Sequence, residues 1–159
     1  MSSVALEIRE TGLEAALSLI DGIADAPKQE LSEGIGRLVQ EQTRKRLEEE
    51  KTTPEGAAWK KNIFGTSILY RGGALTRSID YVATPQSVMI GSALVYARIH
   101  QLGGTIRPKT AKALAFMVGN QMRLVQSVTI PARRYLGLSS ANQQEVVEAA
   151  EDWMARLVQ

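Results

Sequence analysis

The spacing of apolar residues changes period twice along the chain, and this limits the fold more than any other feature. Helical spacing dominates near both ends, whereas the middle carries short β-rich runs, the order expected of helices, then antiparallel strands, then a helix. "SVALEIRE" alternates Val4, Leu6 and Ile8 with Ala5, Glu7 and Arg9, the pattern of a short first strand. A helix is expected from Glu10 to about Ala24 on the stripe Leu13, Leu17 and Ile20. Pro27 stands where a first helical turn tolerates proline and opens a long helix to about Glu50, with Leu31, Ile35, Leu38, Val39 and Gln42 on one face. Its tail, "RKRLEEEK", is a mixed charge run and reads as a solvated face. At the other end Val146, Val147, Ala150, Trp153, Met154, Leu157 and Val158 form the stripe of an amphipathic helix over 141–159.

Between them, "KTTPEGAAWKKNIFGTSILYRGG" is rich in Pro, Gly, Thr and Lys and reads as an extended loop with a few anchoring side chains. A short helix is predicted over "GALTRSID", and two short strands around a turn near Pro85 in "YVATPQSVMIGS". "AKALAFMVGNQMRLVQSVTI" holds two β-rich runs joined by Gly119-Asn120, the clearest hairpin signal in the chain. The expected class is α+β, one small antiparallel sheet packed by a long N-terminal helix region and a C-terminal helix. A chain of 159 residues suits one core. The expected layout is a single domain over 1–159: 1–52 mainly helical, 53–72 loop, 73–139 a sheet region with a basic arm, and 141–159 the last helix.

Charge is polarised along this layout. From Tyr81 to Gln144, 64 residues, there is no Asp or Glu, while Arg98, Arg107, Lys109, Lys112, Arg123, Arg133 and Arg134 give +7. The remainder holds all 17 acids and the other 12 Lys and Arg, a net of −5. Such asymmetry suits contact with a polyanion, or the meeting of a basic face with the acidic face of a neighbouring copy. A hydrophobic content of 44% with 23% charge argues against wholesale disorder. No apolar run approaches the roughly 20 residues of a membrane span. "MSSVALEIRETG" lacks the basic and apolar regions of a secretory signal. Zero cysteines exclude disulfides and thiolate chemistry, and fit a reducing cytoplasm.

His100, the single histidine, is the natural candidate for catalysis, but no carboxylate lies within the acid-free tract to orient it. A metal site would have to be built from dispersed carboxylates. His100 is therefore read as structural, its ring hydrogen-bonded beside the Gly103-Gly104 turn, and no catalytic, metal or cofactor site is expected. Gly103-Gly104 belongs to no phosphate-loop pattern and reads as a tight turn before the extended basic arm "TIRPKTAKAL". No nucleic-acid-binding motif accompanies that arm. Trp59 reads either as a loop pin or as a partner contact, and Trp153 as core. "IPARRYLGLS" reads as a strand-to-helix junction with Pro131, Tyr135 and Leu136 structural, Ser139 or Ser140 capping the helix, and Arg133 and Arg134 available to partners.

Five pieces in order carry a resemblance: "TPEGAAW", "ILYRGGALTRSI", "VMIGSALVYARIHQLGG", the arm with "KALAF", and "SVTIPARRYLGLS". They resemble the phage virion morphogenesis family from about Thr53 to Ser139. The matching positions are Trp59, Leu69, Gly73, Leu75, Ile79, Gly91, Tyr96, Ala97, His100, Gln101, Gly103, Gly104, Pro131, Ala132, Arg133, Leu136 and Gly137. Arg134, where proline is frequent, and Gly72-Gly73, where Thr-Gly or Ser-Gly is commoner, depart from the pattern. The resemblance implies a non-enzymatic part in tail completion and head–tail joining, a tail terminator or neck component. It would be made in the host bacterial cytoplasm and end at the head–tail junction of the virion. It also implies as partners other copies in a homo-oligomeric ring, six copies being one arrangement, with the tail tube, head-connector proteins and, non-specifically, DNA in the lumen. No membrane contact is implied. The expected assembly surface comprises Arg98, His100, Gln101, Arg107, Lys109, Lys112, Arg133, Arg134 and Trp59, supported by the structural positions Gly73, Gly91, Tyr96, Gly103, Gly104, Pro131, Leu136 and Gly137. The alternative is a nucleic-acid-binding accessory protein using the basic 98–134 region.

Overall fold

A computed structural model of the chain describes residues 26–63 and 65–159, so the strand expected at 4–9 and the helix expected at 10–24 lie outside the described residues. Helix α1 (Lys28–Lys45) begins directly after Pro27, with Glu30 in its first turn and Arg44 and Lys45 in its last, each sign favoured by the helix dipole. It continues as a π-helical turn, Arg46–Glu50, closed by Lys51 in the left-handed region at φ 56°. The long helix to about Glu50 is thus present. Leu31, Ile35, Val39 and Gln42 are buried as expected, and Leu38 is half-buried. The mixed charge run is not wholly solvated: Arg46 and Leu47 are buried, while Glu48, Glu49 and Glu50 are exposed. Val39, Thr43, Arg46 and Leu47 sit three or four residues apart, so the apolar stripe carries on one turn past the point where hydropathy marks its end.

The short helix α2 (Ala74–Ser78) leads into the hairpin β1 (Ile79–Thr84) and β2 (Ser87–Ser92), paired from Ile79↔Ser92 to Thr84↔Ser87 around Pro85. Helix α3 (Ala97–Leu102) runs into β3 (Gly104–Ile106). Strands β4 (Leu114–Val118) and β5 (Gln121–Val125) form the hairpin expected at Gly119-Asn120. Positive φ at Gly119 (59°) but not at Asn120 fits a two-residue turn of type II′. Strand β6 (Val128–Ile130) precedes helix α4 (Ser140–Leu157). Ser139 caps α4: its hydroxyl accepts from Asn142 N, and Asn142 Oδ1 accepts from Ser139 N.

The α+β class holds, with helices at both ends of the described chain, but the strands do not merge into one sheet. They form three two-stranded antiparallel ladders, β1–β2, β3–β6 and β4–β5. The physical reason is the nesting of the last two: β3 pairs with β6 across the 107–127 excursion, and the hairpin inside that excursion pairs with itself. The core lies where α1 packs on β1, β2 and α4, with Ile35, Leu47, Ile79, Tyr135, Leu136, Val146 and Trp153 among its members. Burying each large apolar side chain there stabilises the fold by about 1.5–3 kcal/mol. Close approach of α1 to β1 depends on Gly36, where a Cβ would fall 2.3 Å from Tyr81 Cδ2. The α4 stripe is buried through Val146, Ala150 and Trp153, but Leu157 and Val158 at its end are exposed. Among the described residues no helix is long and apolar enough to cross a membrane.

Candidate functional site

The irregular segment 131–139 has no strand or helix to satisfy its backbone, and side chains from four other segments do so instead. Gln101, projecting from α3 and only 4% exposed, accepts at Oε1 from Tyr135 N (2.9 Å) and Leu136 N (3.0 Å) and donates from Nε2 to Leu136 O (3.3 Å). Arg46, 1% exposed, donates from Nη1 to Tyr135 O (3.1 Å) and Gly137 O (2.6 Å) and from Nη2 to Asn142 Oδ1 (2.6 Å). Trp59 is buried, and its indole N–H donates to Arg134 O at 3.1 Å. In return, the buried Arg133 guanidinium donates to Lys60 O (2.8 Å) and Lys61 O (3.2 Å), tying the 53–72 loop to the junction. Buried carbonyls and N–H groups left without partners cost about 1–3 kcal/mol each, so this cluster holds the middle of the fold together.

Three of the expected assembly residues are thereby placed inside the protein. Gln101 and Arg133 satisfy backbone, and Trp59 is the loop pin of its two readings. Arg46 was not among the expected site residues, because a charged residue inside a charge run carries no hydropathic mark of burial. Its one signal is its place three residues after Thr43 on the α1 stripe.

His100 is half-buried on α3, its ring set edge-on to Tyr96 with centroids 5.9 Å apart and planes at 78°. The expected hydrogen bond to the ring is not formed at Nδ1, which is buried with no partner; the bond at this position is from the backbone, with His100 O accepting from Arg133 N at 2.8 Å. Burial, and secondarily the Arg133 charge, hold the imidazole pKa below its usual range. The Tyr135 hydroxyl donates to Ala97 O at 2.9 Å, and burial first, then Tyr96, push its pKa up. The glycine pair does make the expected tight turn. Gly103 has φ 71° and ψ 178°, and a Cβ there would lie 2.7 Å from Ala132 N. Gly104, at φ 154°, starts β3. Gly73 caps α2 at φ 68°, Gly91 pairs with Asp80 in the first hairpin, and Gly137 has φ 134°. Pro131 is half-buried and Leu136 buried, while Tyr96 is exposed.

The remaining expected residues stay on the surface. Arg98, Arg107, Lys109 and Lys112 are exposed, as is Arg123 on β5. Arg134 is exposed and pairs with exposed Glu55 at 2.9 Å, a contact worth little in water. The cations of the acid-free tract therefore divide into Arg133, turned inward at the junction, and Arg98, Arg107, Lys109, Lys112 and Arg123, which face solvent. Among the described residues no group of three or more His, Cys, Asp or Glu could hold a metal ion.

The profile of the phage virion morphogenesis family matches residues 10–155. Over 96 residues the chain is 33% identical to a protein of Escherichia phage Mu provisionally named capsid assembly protein G. That alignment covers 58% of this chain and 51% of the Mu protein, so the chain spans about half the length of the curated relative it matches. No solved structure matches it. With a family match over most of its length, this chain belongs to the phage virion morphogenesis family.

Proposed function

We propose that this protein is a non-enzymatic structural part that completes the phage tail and joins it to the head, acting as a ring of identical copies. The observation that carries the proposal is the division of the polar and charged residues between the interior and the surface. The junction around Gln101, Arg46 and Arg133 is consumed in holding the fold, whereas Arg98, Arg107, Lys109, Lys112 and Arg123 face solvent and have no ion-pair partner among the described residues. A surface of that kind suits assembly with a neighbour. A ring needs one face of a subunit to meet a different face of the next, and a basic tract with acidic flanks provides such faces. The partners would be other copies, the tail tube and a head-connector protein. The site of action would be the head–tail junction, after synthesis in the host cytoplasm.

The test is deletion of the coding sequence from its phage, with electron microscopy of lysates. Unjoined heads and tails, or tails of irregular length, are expected, and a copy supplied in trans should restore whole virions. Normal virions from the deletion would overturn the proposal. Complementation by His100→Ala is expected to be complete, and its failure in a folded variant would favour an enzyme. Arg107→Glu with Lys109→Glu should leave the monomer folded and weaken docking.

The same unpaired cations favour a second reading, contact with a polyanion such as DNA in the lumen. Tight duplex binding that weakens steeply with salt would support it, because phosphate contacts release counterions.

A further inference from the structure

We propose that residues 107–127 form a hairpin arm that opens and closes as its own unit, without unfolding of the rest of the molecule. The tract leaves the body at Ile106 and rejoins it at Val128, which face each other as the last pair of the β3–β6 ladder. Its two ends are thus held side by side by a ladder to which it does not belong, and it can open without moving its neighbours. Within it, β4 and β5 pair only with each other. The register puts Ala115, Met117, Met122 and Leu124 on one face, all of them exposed, Met122 by 68% and Leu124 by 69%. Leu114, Phe116, Val118 and Val125 lie on the reverse face and are only half-buried. None of these side chains belongs to the core or to the half-buried residues packed against it.

Polar ties to the body are missing as well. Among the described residues no side-chain hydrogen bond or ion pair joins 107–127 to the rest of the chain, and the side-chain bond within it runs from Arg123 Nη2 to Gln121 Oε1 at 3.1 Å. The first hairpin, β1–β2, is of nearly the same length and is held quite differently. Helix α1 packs on it, Gln40 Nε2 and Arg44 Nη2 donate to Ile79 O at 2.8 and 3.0 Å, and Gln29 Nε2 donates to Ala83 O at 3.2 Å. A two-stranded hairpin without such support is marginally stable in water. What favours the closed form of β4–β5 is local, the Gly119 turn and the cross-strand pairs. Opening free energies within one protein run from near zero in weakly packed segments to the global value in the core, and the two hairpins stand at opposite ends of that range. Any contact made through the hairpin arm must then include the cost of ordering it, which lowers the affinity of that contact between free copies.

Native-state hydrogen exchange of the full chain, followed by NMR, tests this. Amides of β4 and β5 are expected to be protected at least about a hundredfold less than those of β1 and α1. Low urea should leave their exchange nearly unchanged while speeding that of α1, because opening the arm exposes little new surface. Gly119→Ala should speed exchange in β4 and β5 by up to about fivefold and leave the α1 and α4 amides as they were. The chain has no cysteine, so a disulfide between the opposed positions Ala115→Cys and Leu124→Cys acts on the arm alone. Its oxidation should slow exchange in β4 and β5 at least about tenfold, reversibly with reductant, and leave α1 and α4 unaltered. Exchange in β4 and β5 at the rate and urea dependence of α1, or a disulfide that raises protection throughout the molecule, would make the arm part of the global unit and overturn the proposal. Amides that stay unprotected even in the oxidised protein would overturn the closed hairpin and the proposal with it. Each of these results leaves the head–tail reading to the phage deletion above.

Discussion

Replacing Gln101 with leucine tests whether this family-pattern residue is scaffold or contact. Its Oε1 is the acceptor for two consecutive backbone N–H groups, Tyr135 at 2.9 Å and Leu136 at 3.0 Å, in a fully buried setting. Leucine fills a similar volume and offers no acceptor, so both N–H groups lose their partner, at about 1–3 kcal/mol each. The combined loss of about 2–6 kcal/mol is a large part of the 5–15 kcal/mol typical of a domain. In a domain of this size each kcal/mol moves the midpoint by about 2–4 °C, so a drop on the order of 10 °C is expected in a thermal melt followed by far-UV circular dichroism. Urea denaturation gives the free energy directly, and exposed Arg107→Leu, expected within about 0.5 kcal/mol of the parent, is the control. A loss below about 1 kcal/mol, with the Tyr135 and Leu136 amides still protected from hydrogen exchange, would refute the reasoning and return Gln101 to the list of contact residues.

Arg46→Met keeps the stem of the side chain and removes three donor contacts to Tyr135 O, Gly137 O and Asn142 Oδ1, so a destabilisation of about 3 kcal/mol or more is expected in the same urea assay. Gly103→Ala forces a side chain into backbone at φ 71°, 2.7 Å from Ala132 N, and should cost more than about 2 kcal/mol; Gly119→Ala, at φ 59° with open space around it, should cost about 1 kcal/mol. His100 titrates below its unfolded value of about 6.5, because burial and Arg133 oppose the imidazolium. Its contribution is therefore complete above that value and is lost as pH falls through it toward the folded pKa, since the unfolded chain takes the proton first. The urea midpoint should decline between about pH 7 and pH 5.5 in the parent and less in His100→Gln.

What was legible in the sequence was whatever depends on neighbours a few residues apart. The Leu31, Ile35 and Val39 stripe, the Val146, Ala150 and Trp153 stripe, the Ser139 cap and the Gly119-Asn120 turn all have local causes, and all stand in the fold. What stayed hidden depends on segments far apart in sequence. That β3 pairs with β6 rather than with the first hairpin follows from the route of residues 107–127, which no local pattern encodes. Gln101, Arg133 and Trp59 matched the family pattern and looked like contact residues. They turn inward because 131–139 is irregular, and its polar groups need donors and acceptors supplied from α3 and from the 53–72 loop.

The same need explains why equal charges in the acid-free tract have unequal fates. A guanidinium presents several donors in a planar fork and can serve two or three carbonyls at once, which is how Arg133 and, from α1, Arg46 are accommodated inside. Lys109 and Lys112, with a compact and strongly hydrated ammonium, remain in water. With Arg133 internal and Arg134 paired to Glu55, the cations left to act at a distance are Arg98, Arg107, Lys109, Lys112 and Arg123. Exposed charges are screened over about 8 Å at physiological salt, whereas burial of apolar surface is not. On the ring assembly proposed above, charge would then govern how fast two copies meet, and buried apolar surface how long they stay. Raising salt should slow association with little effect on dissociation, and a salt-dependent dissociation rate with a salt-independent association rate would contradict this division of labour.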